Sequence, residues 1–155
     1  RPPTGRGIRN PPRFGGNLIL GATMARSIDF GGVPHRLDGA LDALPPGTVV
    51  LNEDRLGGWI MLRHGQIVPT IDSRFEAYGP AVLQRHIDLV EAHDGWEQQL
   101  AATAPAAVLL SRQHPLCTHL ADDPQWAMVG EDSGYMLLVS RALSWSPPRP
   151  VTATP

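Results

Sequence analysis

Short apolar runs alternate with helix-period segments between Val33 and Arg141, and this alternation constrains the fold more than any other feature of the sequence. The clearest strands are Thr48–Leu51 and Ala106–Ser111, because both are short, apolar and bounded by proline or polar residues. Apolar residues three and four positions apart predict helices between them. Strands that alternate with helices form right-handed crossovers and a mainly parallel sheet.

Two local features refine this pattern. Pro69 has no backbone N–H, so the strand that contains it lies at a sheet edge or carries a bulge. Gly134 follows Asp132-Ser133 and predicts a tight turn between two antiparallel strands. The remaining predicted elements are helices over 35–44, 56–62 and 80–93, from Trp96 and over 115–121, and strands over 67–72, 126–129 and 135–139. The expected fold is a small three-layer α/β domain whose mainly parallel sheet ends in a C-terminal antiparallel hairpin.

Composition divides the chain into three parts. Residues 1–32 form an Arg-, Pro- and Gly-rich segment that we expect to be flexible, residues 33–141 form the α/β domain, and residues 142–155 form a Pro-rich tail that we expect to be disordered. The N-terminal segment is either a solvated tail or an arm that meets anionic lipid. No stretch of apolar residues is long enough to span a bilayer.

Residue usage excludes several kinds of chemistry. All 13 basic residues are arginine, which excludes a lysine nucleophile and a Walker-type phosphate loop. Cys117 is the single cysteine, and His114, Cys117 and His119 do not share one helix face, so we expect no disulfide and no metal site. No glycine-rich fingerprint follows a strand, so no cofactor is expected. The net charge of −2 argues against a nucleic-acid partner.

Polar residues follow three of the predicted strands, where reactive groups gather in open α/β sheets. Asn52, Glu53 and Asp54 follow the first strand. Asp72, Arg74, Glu76 and Tyr78 follow the second, and the segment 111–114 follows the third. Together they suit a polyol or a cation bound by directed hydrogen bonds. In the alternative, Asn52 or Asp54 caps the next helix and Asp72 pairs with Arg74 to fix a loop.

Two further expectations concern packing. Gly57 and Gly58 lie inside a helix pattern, where each costs about 1 kcal/mol relative to alanine. Either another backbone packs closely there or a ligand needs access. In the helix over 80–93 one face is expected to be buried, and it consists of Val82, Leu83, His86, Ile87 and Val90. Asp88, Glu91 and Asp94 are expected on its solvated side, and Trp96 and Trp126 are expected in the core.

The string VVLNEDRLGGWIMLR, followed by VPTIDSRFEAYG, resembles a pattern found in bacterial polytopic membrane proteins related to the GT-C glycosyltransferases, a group that includes the protein mannosyltransferases. In this chain the matching residues are Asn52, Gly57, Gly58, Trp59, Asp72, Arg74, Tyr78 and Gly79. The resemblance extends over Val33–Arg141. Trp59 stands where tyrosine is more usual, and Ser73 replaces the glycine of Asp-Gly-Arg.

The resemblance implies an extracytoplasmic C-terminal domain at the cell membrane. Such a domain packs on its own membrane-embedded part and positions a carbohydrate or lipid-linked acceptor. The catalytic carboxylate of these enzymes lies on a loop between membrane helices, so no residue of this chain is assigned as catalytic. The candidate binding residues are Asn52, Glu53, Asp54, Gly57, Gly58, Trp59, Asp72, Arg74, Glu76 and Tyr78. The alternative is a stand-alone binding module or small hydrolase that uses the polar residues at the strand ends.

Overall fold

A computed structural model describes residues 32–148 of the chain. The expectations for residues 1–31 and 149–155 therefore lie outside the described residues. The described part is a mixed α/β domain with one open five-stranded sheet in the order β2-β1-β3-β5-β4. Its strands are β1 (Val49–Asn52), β2 (Val68–Pro69), β3 (Ala107–Ser111), β4 (Trp126–Asp132) and β5 (Tyr135–Ser140). Its α-helices are α1 (Asp38–Asp42), α2 (Asp54–Arg63), α3 (Pro80–Val90), α4 (Trp96–Thr103) and α5 (Pro115–Ala121). Two 3-10 helices, His35–Leu37 and Phe75–Ala77, complete the fold.

The sheet is mixed, so the prediction of a mainly parallel sheet is wrong. β1 pairs in parallel with β2 and β3 over only two and three residue pairs. β5 pairs antiparallel with β3 over five residue pairs and with β4 over six. The physical reason is that β5, rather than β4, takes the place beside β3, so β5 forms both long antiparallel ladders.

The structure confirms the tight turn predicted at Gly134 and the edge position predicted for the strand that contains Pro69. Ser133 and Gly134 have φ values of +53° and +82°, which suits a two-residue hairpin turn with the twist of the flanking strands. β2 is an edge strand, as Pro69 requires. It spans two residues instead of the predicted six, and Val68 and Thr70 on either side of Pro69 donate to the backbone oxygens of Thr48 and Val50.

Two hydrophobic clusters hold the domain together, and successive strand residues alternate between them because the side-chain period of a strand is two. Val50, Leu109 and Leu137 belong to the first cluster, which also takes the buried residues of α1 and α2. Leu51 and Leu138 belong to the second, with residues of α3, α4 and α5. Leu143 and Trp145 pack on the first cluster, so the packed chain reaches past Arg141.

Candidate functional site

The chain after β1 and the chain after β3 leave the sheet side by side and then diverge. β1 and β3 are parallel neighbours, with Asn52 opposite Leu109. The helix after β1, α2, contributes to the first hydrophobic cluster, and the helix after β3, α5, contributes to the second. A crevice at the carboxyl ends of two such strands is the usual ligand position in open α/β sheets.

An imidazole bridges two carboxylates in this crevice. Nε2 of His114 lies 3.0 Å from Oε1 of Glu53, and Nδ1 lies 2.8 Å from Oε1 of Glu91. Carboxylates only accept hydrogen bonds, so both ring nitrogens donate when both carry a proton. The second oxygen of Glu53 is buried without a hydrogen-bond partner, and Nε of Arg55 lies 3.5 Å from it. The three residues, Glu53, Glu91 and His114, are called the strand-end cluster below.

His86 on α3 lines a cleft and is close enough to Glu53 and His114 to interact with their charges. Burial lowers the pKa of His86, although the carboxylates of Asp54 and Glu53 act in the opposite direction. The cleft measures about 430 Å³ and lies against β1 and the helices α3 and α4. Gln99 also lines it, and the side-chain oxygen of Gln99 is buried without a partner. A volume of this size, lined by apolar and polar residues in equal number, suits a small ligand.

Cys117 on α5 does not supply a nucleophile to the crevice. Its thiol is buried, and Sγ lies 3.4 Å from the backbone oxygen of Ser111. Burial, with the negative charges of Glu53 and Glu131, raises the pKa of Cys117 to about 12. A thiol that stays protonated at neutral pH is unreactive.

Asn52 is committed to the backbone around it. The side chain is fully buried, and its Nδ2 donates to the backbone oxygens of Glu53 and Ile71 at 2.7 and 2.8 Å. Its Oδ1 accepts from the backbone N–H of Thr70 at 2.9 Å. Neither Asn52 nor Asp54 caps α2, since the N-cap residue is Glu53 and no side chain bonds there. The capping prediction is therefore wrong, and Asn52 ties the end of β1 to the segment after β2.

Asp72 and Arg74 form the loop-fixing pair that the sequence offered as an alternative. Both carboxylate oxygens of Asp72 accept from the Arg74 guanidinium, the shortest contact being 2.6 Å, and the backbone N–H of Arg74 donates to the same carboxylate at 2.9 Å. The hydrogen bonds from Arg74 are the main reason that the pKa of Asp72 falls to about 2. The pKa of Arg74 is raised in turn, with Tyr78 as a smaller influence.

The two glycines of α2 have different surroundings. A Cβ on Gly57 would overlap the backbone oxygen of Ile71 and lie 2.7 Å from Cα of Asp72, so α2 needs glycine there for close packing. A Cβ on Gly58 would meet nothing within 4 Å. Trp59 is buried in the first hydrophobic cluster with its ring edge-on to His64 at 4.8 Å.

The candidate residues therefore fall into separate groups. Glu53 lies in the crevice, and Asp54 begins α2 beside it. Asp72, Arg74 and Tyr78 gather at the loop after β2, with Glu76 exposed on the 3-10 helix there. Within residues 32–148 no hydrogen bond joins this loop group to the strand-end cluster.

Sequence reasoning placed His114 at a strand end but did not select it, and it assigned Glu91 to solvent. Glu91 is the residue directly after α3, and its carboxylate reaches His114 at the start of α5. That contact joins positions 23 residues apart, so no local pattern reports it. The position of His114 directly before Pro115, which opens α5, was the available indication.

Across residues 32–148, no group of three or more His, Cys, Asp or Glu side chains is arranged to hold a metal ion. In the same part of the chain no helix combines the length and the apolar character of a membrane span. Comparisons of the chain with protein-family models, with curated proteins and with solved structures give no match.

Proposed function

We propose that residues 33–141 form the extracytoplasmic accessory domain of a GT-C-like membrane glycosyltransferase and dock on the membrane-embedded part through α3. The resemblance of the segments around Asn52–Trp59 and Asp72–Gly79 to such proteins supports this assignment. The helices then form two layers, one on each side of the sheet, consistent with the two hydrophobic clusters. In this role the domain is not catalytic alone.

The observation that carries the proposal is an exposed apolar surface on α3 and on the 3-10 helix before it. Phe75, Val82 and Ile87 are 47%, 39% and 47% exposed, although the helix period predicts Val82 and Ile87 to be buried. Exposing three large apolar side chains within one short segment costs hydration free energy unless a partner covers them. The membrane-embedded part of the same protein is the partner that the resemblance implies.

The loop group places polar residues beside this face. Arg74 and Tyr78 flank Phe75 in sequence, and the Arg74 side chain is 65% exposed despite its pairing with Asp72. A guanidinium and a phenol that reach solvent here can hydrogen-bond the hydroxyl groups of a carbohydrate acceptor. The domain would thus hold the acceptor close to the surface on which it docks.

The first test is the mass and location of the native gene product. An antibody raised against residues 33–141 should detect a product much larger than 16.8 kDa in the membrane pellet. A freely soluble product near 16.8 kDa would overturn the proposal.

The second test locates the contact. A photo-crosslinking amino acid at Val82 or Ile87 in the native membrane protein should crosslink to the membrane-embedded part. The same group at Leu62 of α2, which is also exposed, serves as the matched control and should crosslink much less. Equal crosslinking from both helices would contradict docking through α3. Substituting Arg74→Gln and Tyr78→Phe should then lower incorporation of labelled sugar in isolated membranes when the activity is compared per amount of folded protein.

The crevice supports a second candidate function, a stand-alone binding module or small hydrolase. The observation that favours it is the strand-end cluster at the diverging ends of β1 and β3, beside a cleft of about 430 Å³. Histidine and glutamate side chains are common general acids and bases in enzymes. Purified chain should then hydrolyse a p-nitrophenyl glycoside, and Glu53→Gln should abolish turnover while Asp122→Asn retains it. Turnover that survives Glu53→Gln would remove this candidate.

A further inference from the structure

A second groove lies near the amino end of β3, at the other end of the strands from the strand-end cluster. Trp126 begins β4 and pairs with Ser140 at the end of β5. Because β5 runs antiparallel to β3, these residues lie at the amino end of β3, whereas His114 lies beyond its carboxyl end. The groove runs between this corner and α4 and measures about 450 Å³.

Two indole rings line the groove, and one of them is held in place. Trp96 and Trp126 are both half-buried, so the prediction that they lie in the core is only partly met. The ring of His119 stacks on Trp96 with a centroid distance of 5.2 Å and an interplanar angle of 25°. This contact fixes the plane of the Trp96 indole before any ligand arrives, which lowers the entropy cost of binding.

The polar residues of the groove accept hydrogen bonds and carry no positive charge. Glu97, Asp123 and Gln125 line it together with Ser140, and no arginine or histidine is among the lining residues. Oδ1 of Asp123 accepts from the backbone N–H of Gln125 at 2.8 Å, which orients that carboxylate. Among residues 32–148 the carboxylate of Glu97 and the side-chain amide of Gln125 have no hydrogen-bond partner, so both are open to a ligand.

We propose that this groove binds a neutral hexopyranose. The C–H face of a pyranose packs on an indole ring, and its hydroxyl groups donate to carboxylate and amide oxygens. Two carboxylates without a basic residue disfavour sugar phosphates and other anions by charge repulsion. The volume accommodates a monosaccharide and lies in the range of small-molecule sites. The proposal uses none of the residues of α3 or of the strand-end cluster, so it does not depend on the proposed function.

The test uses saturation-transfer NMR on the purified chain with methyl β-D-glucopyranoside, methyl α-D-mannopyranoside and methyl β-D-galactopyranoside. We expect saturation of the ring C–H protons for at least one epimer, with a dissociation constant of about 1 mM. The exposed substitution Glu97→Gln should weaken binding by about 10-fold, which corresponds to one lost charge-assisted hydrogen bond. Glu131→Gln, at an exposed glutamate near the other end of β4 from Trp126, should leave it unchanged.

Trp126→Ala should abolish transfer in a chain whose far-ultraviolet circular dichroism is unchanged. If that variant does not fold, Glu97→Gln and Gln125→Ala decide the matter, since both residues are exposed. Absence of transfer for all three glycosides at about 50 mM, a concentration far above the expected dissociation constant, would overturn the proposal. Equal binding by wild type and by Glu97→Gln and Gln125→Ala, or tighter binding of glucose 6-phosphate than of the neutral glycosides, would also overturn it.

Discussion

At the scale of single residues, Gly57 and Asp72 belong to one contact. The backbone of Ile71 and Asp72 packs against α2 at Gly57, where a Cβ would overlap it. The Asp72 carboxylate at that contact is held by Arg74, two residues later in the chain. The position of the loop group therefore depends on the absence of a Cβ at Gly57 and on the ion pair between Asp72 and Arg74.

The adjacent glycines of α2 allow a matched comparison. Gly57→Ala should destabilise the domain by about 3 kcal/mol or more, because the new Cβ would overlap backbone atoms that cannot rotate away. Gly58→Ala should stabilise it by about 0.5–1 kcal/mol, since the site is open and alanine favours a helix. Urea unfolding of both variants measures the difference, and equal effects would contradict the close contact.

Asp72 should titrate well below an ordinary aspartate. Arg74 lowers its pKa in the folded state from 3.8 to about 2, so the ionised pair stabilises the fold above pH 3.8. That contribution is lost as the pH falls from 3.8 towards 2. Carbon-detected NMR of the side-chain carboxyl should show this low midpoint in wild type and a higher one in Arg74→Gln. A midpoint near 3.8 in wild type would show that the pair does not form in solution.

At the scale of elements, the ends of β1 and β2 are joined through Asn52 instead of through a long ladder. β2 supplies two residues to the sheet, and just beyond it the Asn52 side chain bonds the backbone of Thr70 and Ile71. α3 shows a different case, because Val90 of the predicted buried face is buried but Val82 and Ile87 of the same face are exposed.

Asn52→Leu should cost about 2–4 kcal/mol of unfolding free energy. The substitution leaves the buried backbone oxygen of Ile71 without its donor, and the N–H of Thr70 keeps only its bond to the backbone oxygen of Val50. Thr70→Val is the matched control, because it removes only the 3.4 Å contact between the Thr70 hydroxyl and Asn52, and it should change stability by less than about 0.5 kcal/mol. Thermal unfolding of the two variants tests this, and a mild effect of Asn52→Leu would mean that solvent reaches these groups.

The two sides of α3 should respond differently to truncation. Leu89→Ala should cost about 2–4 kcal/mol, because Leu89 is 3% exposed in the second hydrophobic cluster. Ile87→Ala should cost less than about 1 kcal/mol in the isolated chain, because its side chain already meets solvent. Chemical denaturation distinguishes them, and a large effect at Ile87 would mean that another part of the chain covers this face.

At the scale of the whole molecule, stability should be greatest at the centre of the sheet. β3 and β5 share the longest contact across the sheet centre and contribute to both hydrophobic clusters, whereas β2 has two residues at an edge. Amide hydrogen exchange should therefore be slowest in Val108–Leu110 and Leu137–Val139 and fastest, among strands, at Val68. Uniform exchange across the five strands would contradict this order.

The sequence predicted the elements better than their arrangement. The α5 range 115–121, the hairpin turn and the edge position of Pro69 follow from local rules that proline and glycine impose. The pairing of β5 with β3 and the contact between Glu91 and His114 do not, because each joins residues that are far apart in the chain. The exposed face of α3 escaped prediction for a related reason, since a helix period shows that a face is apolar but not what covers it.

The 3-10 helix His35–Leu37 has a consequence for self-association of the protein at high concentration. β4 is the long outer strand of the sheet, and an outer strand can pair with a strand of another molecule. The backbone N–H of Arg36 donates to Asp132 at 3.0 Å, Leu37 packs against Gly130, and β4 changes register between Met128 and Gly130. The start of the domain thus obstructs its own free edge, and loss of residues 35–37 should make the protein self-associate.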